Sequence, residues 1–299
     1  MKKSFKQHWQ LYLLLILPIA WVIIFRYFPM YGLQIAFKDY MMRLGYGGSP
    51  WATPLTKYFD MFISSYYFPR LMGNTISISL MSIIAGFFPP IMLAIMLNEC
   101  RTVWLKKTVQ MITYAPHFLS TVVVVSILTQ VLSLNGLVNS LLKQLGKTEI
   151  SFFSEASYFK PIYVLSGIWQ GVGYNSIIYI AALAGINPEL HEAATIDGAN
   201  IWQRIWHVDL PGIMPTAIIM LILSTASILN VGFEKVYLMQ NPLNMKSSDV
   251  ISTYTYRMGL IDMNYSLATA IGLFQSTISI VFMVIVNKIA GALSEVSLW

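Results

Sequence analysis

Two otherwise apolar segments of the chain carry amide, hydroxyl and aromatic side chains that could bind a ligand. A sugar offers ring hydroxyls and apolar faces, so amides and hydroxyls would hydrogen-bond it and aromatic rings would stack on it. For any one residue, a tie between neighbouring helices is the alternative interpretation. The predicted path residues are Trp169, Gln170, Tyr174, Asn175 and Tyr179 in the first segment, and Ser227, Asn230 and Phe233, spaced by three and so on one helix face, in the second.

Glycines in the first of these segments follow a small-residue spacing. Gly167 and Gly171 are four apart, which favours close packing of a neighbouring helix over a ligand role.

A charged stretch, residues 187–212, separates the two segments and is predicted to form two short helices. Asn187 is a good N-cap and Pro188 suits the first helical position. Gly198 can supply the left-handed turn that stops the first helix, and Asn200 can start the second. The pair Leu210-Pro211 is expected to end that second helix.

The first of these short helices has a distinctive face. Glu189 and Glu192 are three residues apart and therefore share a side of the helix. Ala193 and Ala194 follow directly, and such small side chains would let another molecule approach closely. A solvated helical loop is the alternative that these residues alone leave open.

The apolar composition indicates which structural elements must position these residues. Of the 299 residues 56% are hydrophobic and 11% charged, whereas soluble domains carry about 25% charged residues. Long windows almost without charge, and without the alternation of barrel strands, predict an all-α integral membrane protein in one domain, 1–299. The six predicted spans are 11–28, 72–97, 108–134, 161–185, 213–233 and 267–287.

The scarcity of some residue types excludes several kinds of site. The one cysteine, Cys100, cannot form a disulfide within the chain, and four histidines leave little material for a metal cluster. We expect no metal site and no catalytic residue.

Basic residues give the predicted orientation. Six spans place both termini on one side. With that side in the cytoplasm, eight of the 19 bases lie inside and 11 outside, which opposes the positive-inside rule, but the basic N-terminus and the short loop with Arg101, Lys106 and Lys107 fit it. The outer segments then hold more bases than acids, which would attract an acidic ligand. A merely solvated excess of lysine explains the same distribution.

The charged stretch also resembles a known motif. Glu192-Ala193-Ala194, with Gly198 four residues beyond and then Ile205 and Leu210-Pro211, resembles the EAA loop of permease subunits of ABC importers. Further stretches resemble carbohydrate permeases of the multi-sugar and lipoprotein-associated group: residues 29–40, 177–186, 232–237 and 297–299.

This resemblance implies a type I ABC importer permease fold with cytoplasmic termini in the membrane of a bacterial cell, specifically a Gram-positive one. The implied partners are a second related permease, a cytoplasmic ATPase dimer that binds ATP and Mg²⁺, and an extracellular sugar-binding lipoprotein. The implied substrate is an oligosaccharide, an acidic or complex plant-derived one among the possibilities; membrane lipid surrounds the chain and no nucleic acid takes part. The expected ATPase-coupling residues are Glu189, Glu192, Ala193, Ala194, Asp197, Gly198, Arg204, Leu210 and Pro211.

Two other functions have less support from the residue types and their positions. An ion-coupled secondary transporter is the main alternative, but it typically places an ionisable group near the middle of a span, and no predicted span has one there. An intramembrane hydrolase would have to use His117 with Ser120 or Thr121, and no acid accompanies them.

Overall fold

The fold is built from helices. The structure is a computed structural model that describes residues 2–226 and 228–294. Within these ranges, extended backbone pairs only in one antiparallel bridge, between Lys38 and Trp51. The predicted all-α class is confirmed.

The α-helices vary from one turn to a full membrane crossing. In chain order they are α1 Lys2–Val22, α2 Phe28–Met30, α3 Gly45–Gly48, α4 Lys57–Ile63, α5 Phe68–Glu99, α6 Val103–Tyr114, α7 Thr121–Val131, α8 Leu137–Gln144, α9 Ala156–Ala184, α10 Pro188–Ile196, α11 Ile201–Arg204, α12 Leu210–Thr225, α13 Phe233–Met239, α14 Met245–Ser248, α15 Ile251–Tyr256 and α16 Tyr265–Ser294. Short 3-10 segments lie at Tyr31–Phe37 and Ala115–Phe118, and π-helical segments at Ile23–Tyr27, Ile205–Asp209 and Arg257–Ile261.

The chain forms two compact units. One comprises Met1–Phe68 and Thr255–Phe274, and the other Pro69–Tyr254 and Gln275–Trp299. The first unit has a small aromatic core in which the buried Phe62 meets Phe68 and Phe274 edge-on, with ring centroids 5.1 and 5.4 Å away. This packing anchors α4 against the first turns of α16.

Polar contacts complete the first unit. The Ser266 hydroxyl donates to the carbonyl of Lys38 at 2.6 Å and accepts from the backbone N–H of Tyr40 at 3.1 Å. The Lys57 ammonium and the Tyr58 hydroxyl both donate to Asp39 at 2.7 Å, and these two bonds, that from Lys57 first, lower the pKa of the Asp39 carboxyl.

In the second unit, two buried apolar clusters hold α5 and α9. One joins α5, α7, α9 and α13, and the other joins α5, α9 and α12. Their members are Ile78, Val125, Phe159, Val231, Val236, Met239 and Val250 in the first, and Ile91, Ala94, Tyr179, Leu183, Ile213 and Ala217 in the second.

The long apolar helices agree only partly with the predicted spans. Among the described residues, four helical stretches are long and apolar enough to cross a membrane, and a sharply bent pair makes a fifth if it counts as one crossing. The count of six is therefore not established by length and composition. The four stretches are Trp9–Phe37, Phe68–Glu99, Ile201–Thr225 and Tyr265–Ala292.

The third predicted span, 108–134, is not one continuous helix. It breaks between Val103–Phe118 and Thr121–Val131, and the two parts meet at 103°. Ser120 has extended backbone at the break, and its hydroxyl accepts from the N–H of Val123 as the N-cap of α7. Pro116 lies in the 3-10 turn just before. The uninterrupted apolar sequence therefore gave no indication of the 3-10 turn or of the N-cap at Ser120.

The fourth predicted span, 161–185, lies within α9, a continuous helix of 29 residues. This helix is not among those apolar enough to cross a membrane by composition. Its amides, glycines and hydroxyls lower its hydropathy, so its polar side must face protein or a water-filled space rather than lipid.

The fifth predicted span ends too late. Helix α12 stops at Thr225, before the predicted end at Phe233. The carbonyl of Leu229 accepts instead from the Gln275 side chain at 2.6 Å, so a tertiary contact replaces a helical hydrogen bond. The proposed single face of Ser227, Asn230 and Phe233 is therefore wrong, because Asn230 lies outside any helix and Phe233 begins α13.

Candidate functional site

Local capping shapes the charged stretch 187–212. The Asn187 side chain accepts from the N–H of Glu189 at 3.1 Å, and Pro188 is the first residue of α10. Gly198 has a φ of 73°, a left-handed conformation that suits glycine. Asn200 and Gln203 form a reciprocal capping box at the start of α11. These predicted helix signals are confirmed.

One expected helix end is wrong. The helix that starts at Ile201 continues through Leu210 and Pro211 to Thr225. Pro211 would clash with the carbonyl four residues before it in a regular α-helix, but the π-helical turn Ile205–Asp209 widens the helix at that point. Leu210 and Pro211 thus belong to the long helix that leaves the stretch.

The outer face of α10 is open. Glu189, Glu192 and Ala193 are exposed, and Glu192 forms no ion pair with any residue in the described ranges. Ile196, one turn beyond Glu192, is 86% exposed, which is unusual for a large apolar side chain on a small helix. Asp197 and Gly198 are also exposed. We call this surface the α10 face; it consists of Glu189, Glu192, Ala193, Ile196, Asp197 and Gly198.

Arg204 does not belong to the α10 face. Its guanidinium lies 3.4 Å from the carboxylate of Glu99, at the end of α5, and 3.5 Å from the Thr195 hydroxyl. Both partners of the ion pair are about one-fifth exposed. Arg204 therefore ties the stretch to its own chain, a contact between residues 105 positions apart that no local pattern announces.

Two further contacts hold the stretch and were not predicted. His191 Nε2 lies 3.5 Å from the carboxylate of Asp209, which is fully buried. At Gly212 a Cβ would come within 2.5 Å of the Ile186 side chain, so the glycine allows Ile186 to approach closely without a shift of its side chain. The stretch is thus fixed on its inner side and open on its outer side.

A cavity of about 480 Å³ with a mixed polar and apolar lining lies along α9, within the size range of small-ligand sites. Three of the predicted path residues line it: Gln170, Asn175 and Tyr179. Helix α5 forms part of its wall, and α12 and α13 each contribute, so the cavity opens between elements far apart in sequence. Other polar groups in the wall are Ser82, Tyr163, Ser224 and Lys235.

The remaining predicted path residues lie elsewhere. The Tyr174 ring stacks on His117, with centroids 3.8 Å apart, and Trp169 is 44% exposed. Asn230 lines a smaller cavity of about 130 Å³, which shares Tyr163 and Ser224 with the larger one. Phe233 stacks on Tyr237 at 5.3 Å. Ser227 lies outside the described residues.

The glycines of α9 have different roles. Gly167 and Gly171 line the cavity, and the one atom near a Cβ at Gly167 is Lys235 Nζ, at 3.5 Å. No helix in the described part of this chain packs closely on both glycines, so their predicted packing role stays a prediction. Close packing occurs instead at Gly173, where a Cβ would overlap the carbonyl of Thr113 on α6.

Lys235 is the feature of the cavity that sequence reasoning missed. Its side chain is buried, its Nζ donates to the carbonyl of Tyr163 at 3.1 Å, and the ammonium lies 4.8 Å from the centre of the Tyr163 ring. Burial lowers the pKa of the Lys235 ammonium to about 8. The available signal was the Glu234-Lys235 pair, flanked by Phe233 and Val236 on the short α13.

Comparison with known proteins places the chain in a family. Residues 90–294 match the family described as "Binding-protein-dependent transport system inner membrane component", and the chain belongs to this family. It is a membrane permease subunit rather than an enzyme. This membership favours an importer over the ion-coupled alternative.

Two named permeases and one solved transporter structure are similar to the chain over most of its length. The chain is 42% identical to Protein LplB of Bacillus subtilis (strain 168) over 94% of its length and 88% of the relative. It is 37% identical, over 95% of its length and 88% of the relative, to the polygalacturonan/rhamnogalacturonan transport system permease protein YteP of the same organism. It matches a chain of a bacterial alginate ABC transporter, crystallised with an alginate pentasaccharide-bound periplasmic protein, with a TM-score of 0.89, 38% identity and 99% coverage of both chains.

Proposed function

We propose that this permease subunit carries an oligosaccharide with acidic sugar units across the membrane, through the cavity along α9. The observation that carries the proposal is the cavity itself. It combines the amides of Gln170 and Asn175 with the hydroxyls of Ser82 and Ser224 in a volume suited to a few sugar rings. Gln170 already donates to the Leu119 carbonyl at 3.3 Å, but a primary amide has two N–H donors and an acceptor oxygen, so a hydroxyl-rich ligand is a fitting partner for the remaining groups.

The acidic class of substrate is supported by the relatives. YteP is named for polygalacturonan and rhamnogalacturonan, and the solved transporter was crystallised with an alginate pentasaccharide on its periplasmic protein. These polymers contain uronate units. The similarity to both extends over nearly the whole chain.

The α10 face is proposed to couple transport to ATP. The exposed Glu192 carboxylate would pair with a basic group in a cleft of a cytoplasmic ATPase subunit, and Ala193, Ala194 and Gly198 would permit close seating. Ile196 would bury its exposed side chain in the same contact. ATP and Mg²⁺ belong to that ATPase, which this chain does not contain.

The same proposal sets the topology and the partners. Six crossings, with the bent pair and α9 counted as one each, place both termini and residues 187–212 in the cytoplasm. The remaining partners are a second related permease and an extracellular sugar-binding lipoprotein. The membrane is the cell membrane of a Gram-positive bacterium. Closure of the ATPase dimer would then rock the permease pair and expose the cavity to alternate sides.

Reconstitution tests this function. The chain is co-expressed with a related permease and an ABC importer ATPase of the same bacterium, and the complex is placed in proteoliposomes that contain ATP. Uptake of a labelled oligogalacturonate should require the binding protein and ATP. Uptake driven by a proton or sodium gradient, without the ATPase, would contradict the proposal.

A further inference from the structure

The cavity wall contains a cation without an acidic partner. Lys235 is the one charged side chain among the described residues that line the cavity, and it is 8% exposed. An ammonium has three N–H donors, and the Tyr163 carbonyl takes one. No described carboxylate lies within ion-pair distance of Lys235 Nζ.

A purely structural role explains this arrangement poorly. A neutral side chain could tie α13 to the Tyr163 carbonyl without the cost of burying a charge. Lys38 provides a comparison, because it is also buried and also combines a backbone carbonyl, that of Tyr46, with an aromatic ring, that of Trp51. Lys38 lines neither cavity described above. The ammonium of Lys235 differs in facing an open space.

Gly167 lies beside the ammonium in the cavity wall. A Cβ at this position would lie 3.5 Å from Lys235 Nζ, an ordinary contact distance, and no other described atom outside the backbone of α9 lies within 4 Å of it. The glycine thus places no side chain over the ammonium on this side of the cavity. The amides of Gln170 and Asn175 line the same cavity and can bind hydroxyl groups.

We propose that Lys235 Nζ binds the carboxylate of a uronate unit as the oligosaccharide passes through the cavity, and so selects acidic over neutral sugars. The carboxylate would accept hydrogen bonds from the ammonium N–H groups that the Tyr163 carbonyl does not use. The Tyr163 carbonyl and ring would keep their contacts with the ammonium. The inference rests on the proposed transport function and adds to it a specificity-determining residue.

The first test compares variants in the reconstituted complex. Lys235→Gln keeps a donor for the Tyr163 carbonyl but removes the charge, Lys235→Arg keeps the charge, and Lys160→Met removes a lysine of α9 that does not line the cavity. Each is assayed with a uronate trisaccharide and with its carboxyl-reduced, neutral counterpart. We expect Lys235→Gln to lower uronate uptake about tenfold or more and neutral uptake less than about twofold, since removing one partner of a buried charged pair is costly. Lys235→Arg should restore most of the uronate uptake, and Lys160→Met should change neither.

A second measurement uses the unaltered protein. Lysine side chains of the detergent-solubilised complex are reductively methylated, and the modification of Lys235 and Lys160 is followed by mass spectrometry. The uronate trisaccharide should slow the modification of Lys235 alone, and the neutral sugar should not.

The outcomes separate this inference from the proposed function. Equal losses of both sugars in Lys235→Gln, no loss of either, or no protection of Lys235 would overturn the role of Lys235 while import stands. If the unaltered complex imports neither sugar, the proposed function fails and the inference fails with it.

Discussion

The stretch 187–212 and the cavity along α9 differ in how the sequence builds them. The caps of the stretch join residues two or three positions apart, such as Asn187 with Glu189 and Asn200 with Gln203. The cavity depends on contacts such as that of Lys235 with Tyr163, which are 72 positions apart. The stretch exposes its charged residues to solvent, whereas the cavity turns its charge inward. An exposed charged surface can therefore be encoded largely by local contacts, but an internal cavity requires the assembled helices.

The largest effect should come from charge reversal on the α10 face. Glu192→Lys would remove one member of the proposed charge pair and place a like charge against the ATPase, at a cost of about 2 to 5 kcal/mol in that contact. Uptake and the stimulation of ATP hydrolysis by loaded binding protein should fall by more than about tenfold, while the yield of the chain is unchanged because Glu192 is exposed.

The matched control is Glu155→Lys, which reverses an exposed acid next to α9 and should leave transport intact. If Glu192→Lys retains full coupling, the α10 face is not the docking surface and the contrast between the two regions loses its functional meaning.

Gly173→Ala tests how strongly the cavity depends on assembled helices. The added Cβ would overlap the Thr113 carbonyl, so α6 and α9 must separate, at a cost of about 1 to 3 kcal/mol. The melting temperature of the purified complex should fall. Gly73→Ala on α5, where a Cβ meets nothing within 4 Å, should be neutral or slightly stabilising. Equal stability of the two variants would show that α6 does not fix α9 as described.

Asn175→Ala should weaken the path without affecting the fold. Loss of one hydrogen bond to a sugar hydroxyl costs about 0.5 to 1.5 kcal/mol, so uptake at low substrate concentration should fall about two- to tenfold. Tyr174→Phe is the control, since Tyr174 stacks on His117 and lies outside the cavity. An equal loss in both variants would mean that uptake does not distinguish the cavity from the rest of α9.

Arg204→Gln should have the smallest effect, a small loss of stability. It tests whether local contacts are enough to hold the stretch 187–212. Its ion pair with Glu99 is partly exposed to solvent, so its loss should cost roughly 0.2 to 1 kcal/mol. Thermal unfolding of the complex measures this, with Arg101→Gln, a neighbouring exposed base, as the control. A loss above about 3 kcal/mol would show that the stretch needs its long-range contact.

The sequence could predict what is decided within a few residues. The N-cap at Asn187, the left-handed Gly198 and the capping box at Asn200 all follow from local hydrogen bonding. The end of α12 at Thr225 could not be predicted, because Gln275 supplies the partner for the Leu229 carbonyl. The prediction that the helix ends at Pro211 was wrong for a related reason. The π-helical turn that accommodates this proline has no simple sequence signal.

The lining of the cavity was only partly predictable from residue types. Amides in an apolar run selected Gln170 and Asn175, which line the cavity, but the same reasoning also selected Tyr174, whose ring stacks on His117 instead. Lys235 was missed because its surroundings, Tyr163 and Gly167, belong to α9, which is distant in sequence. Family resemblance identified the segment around Lys235 without assigning it a role.

The modest hydropathy of α9 has a consequence for biogenesis. Insertion of a helix by the translocation machinery depends on its partitioning into lipid, and α9 is less suited to this than the other long helices. Its polar side needs α5 and α6 beside it before it is stable at membrane depth. We expect α9 to integrate only together with its neighbours, so that a chain whose helices fail to associate would expose this segment to quality-control proteases.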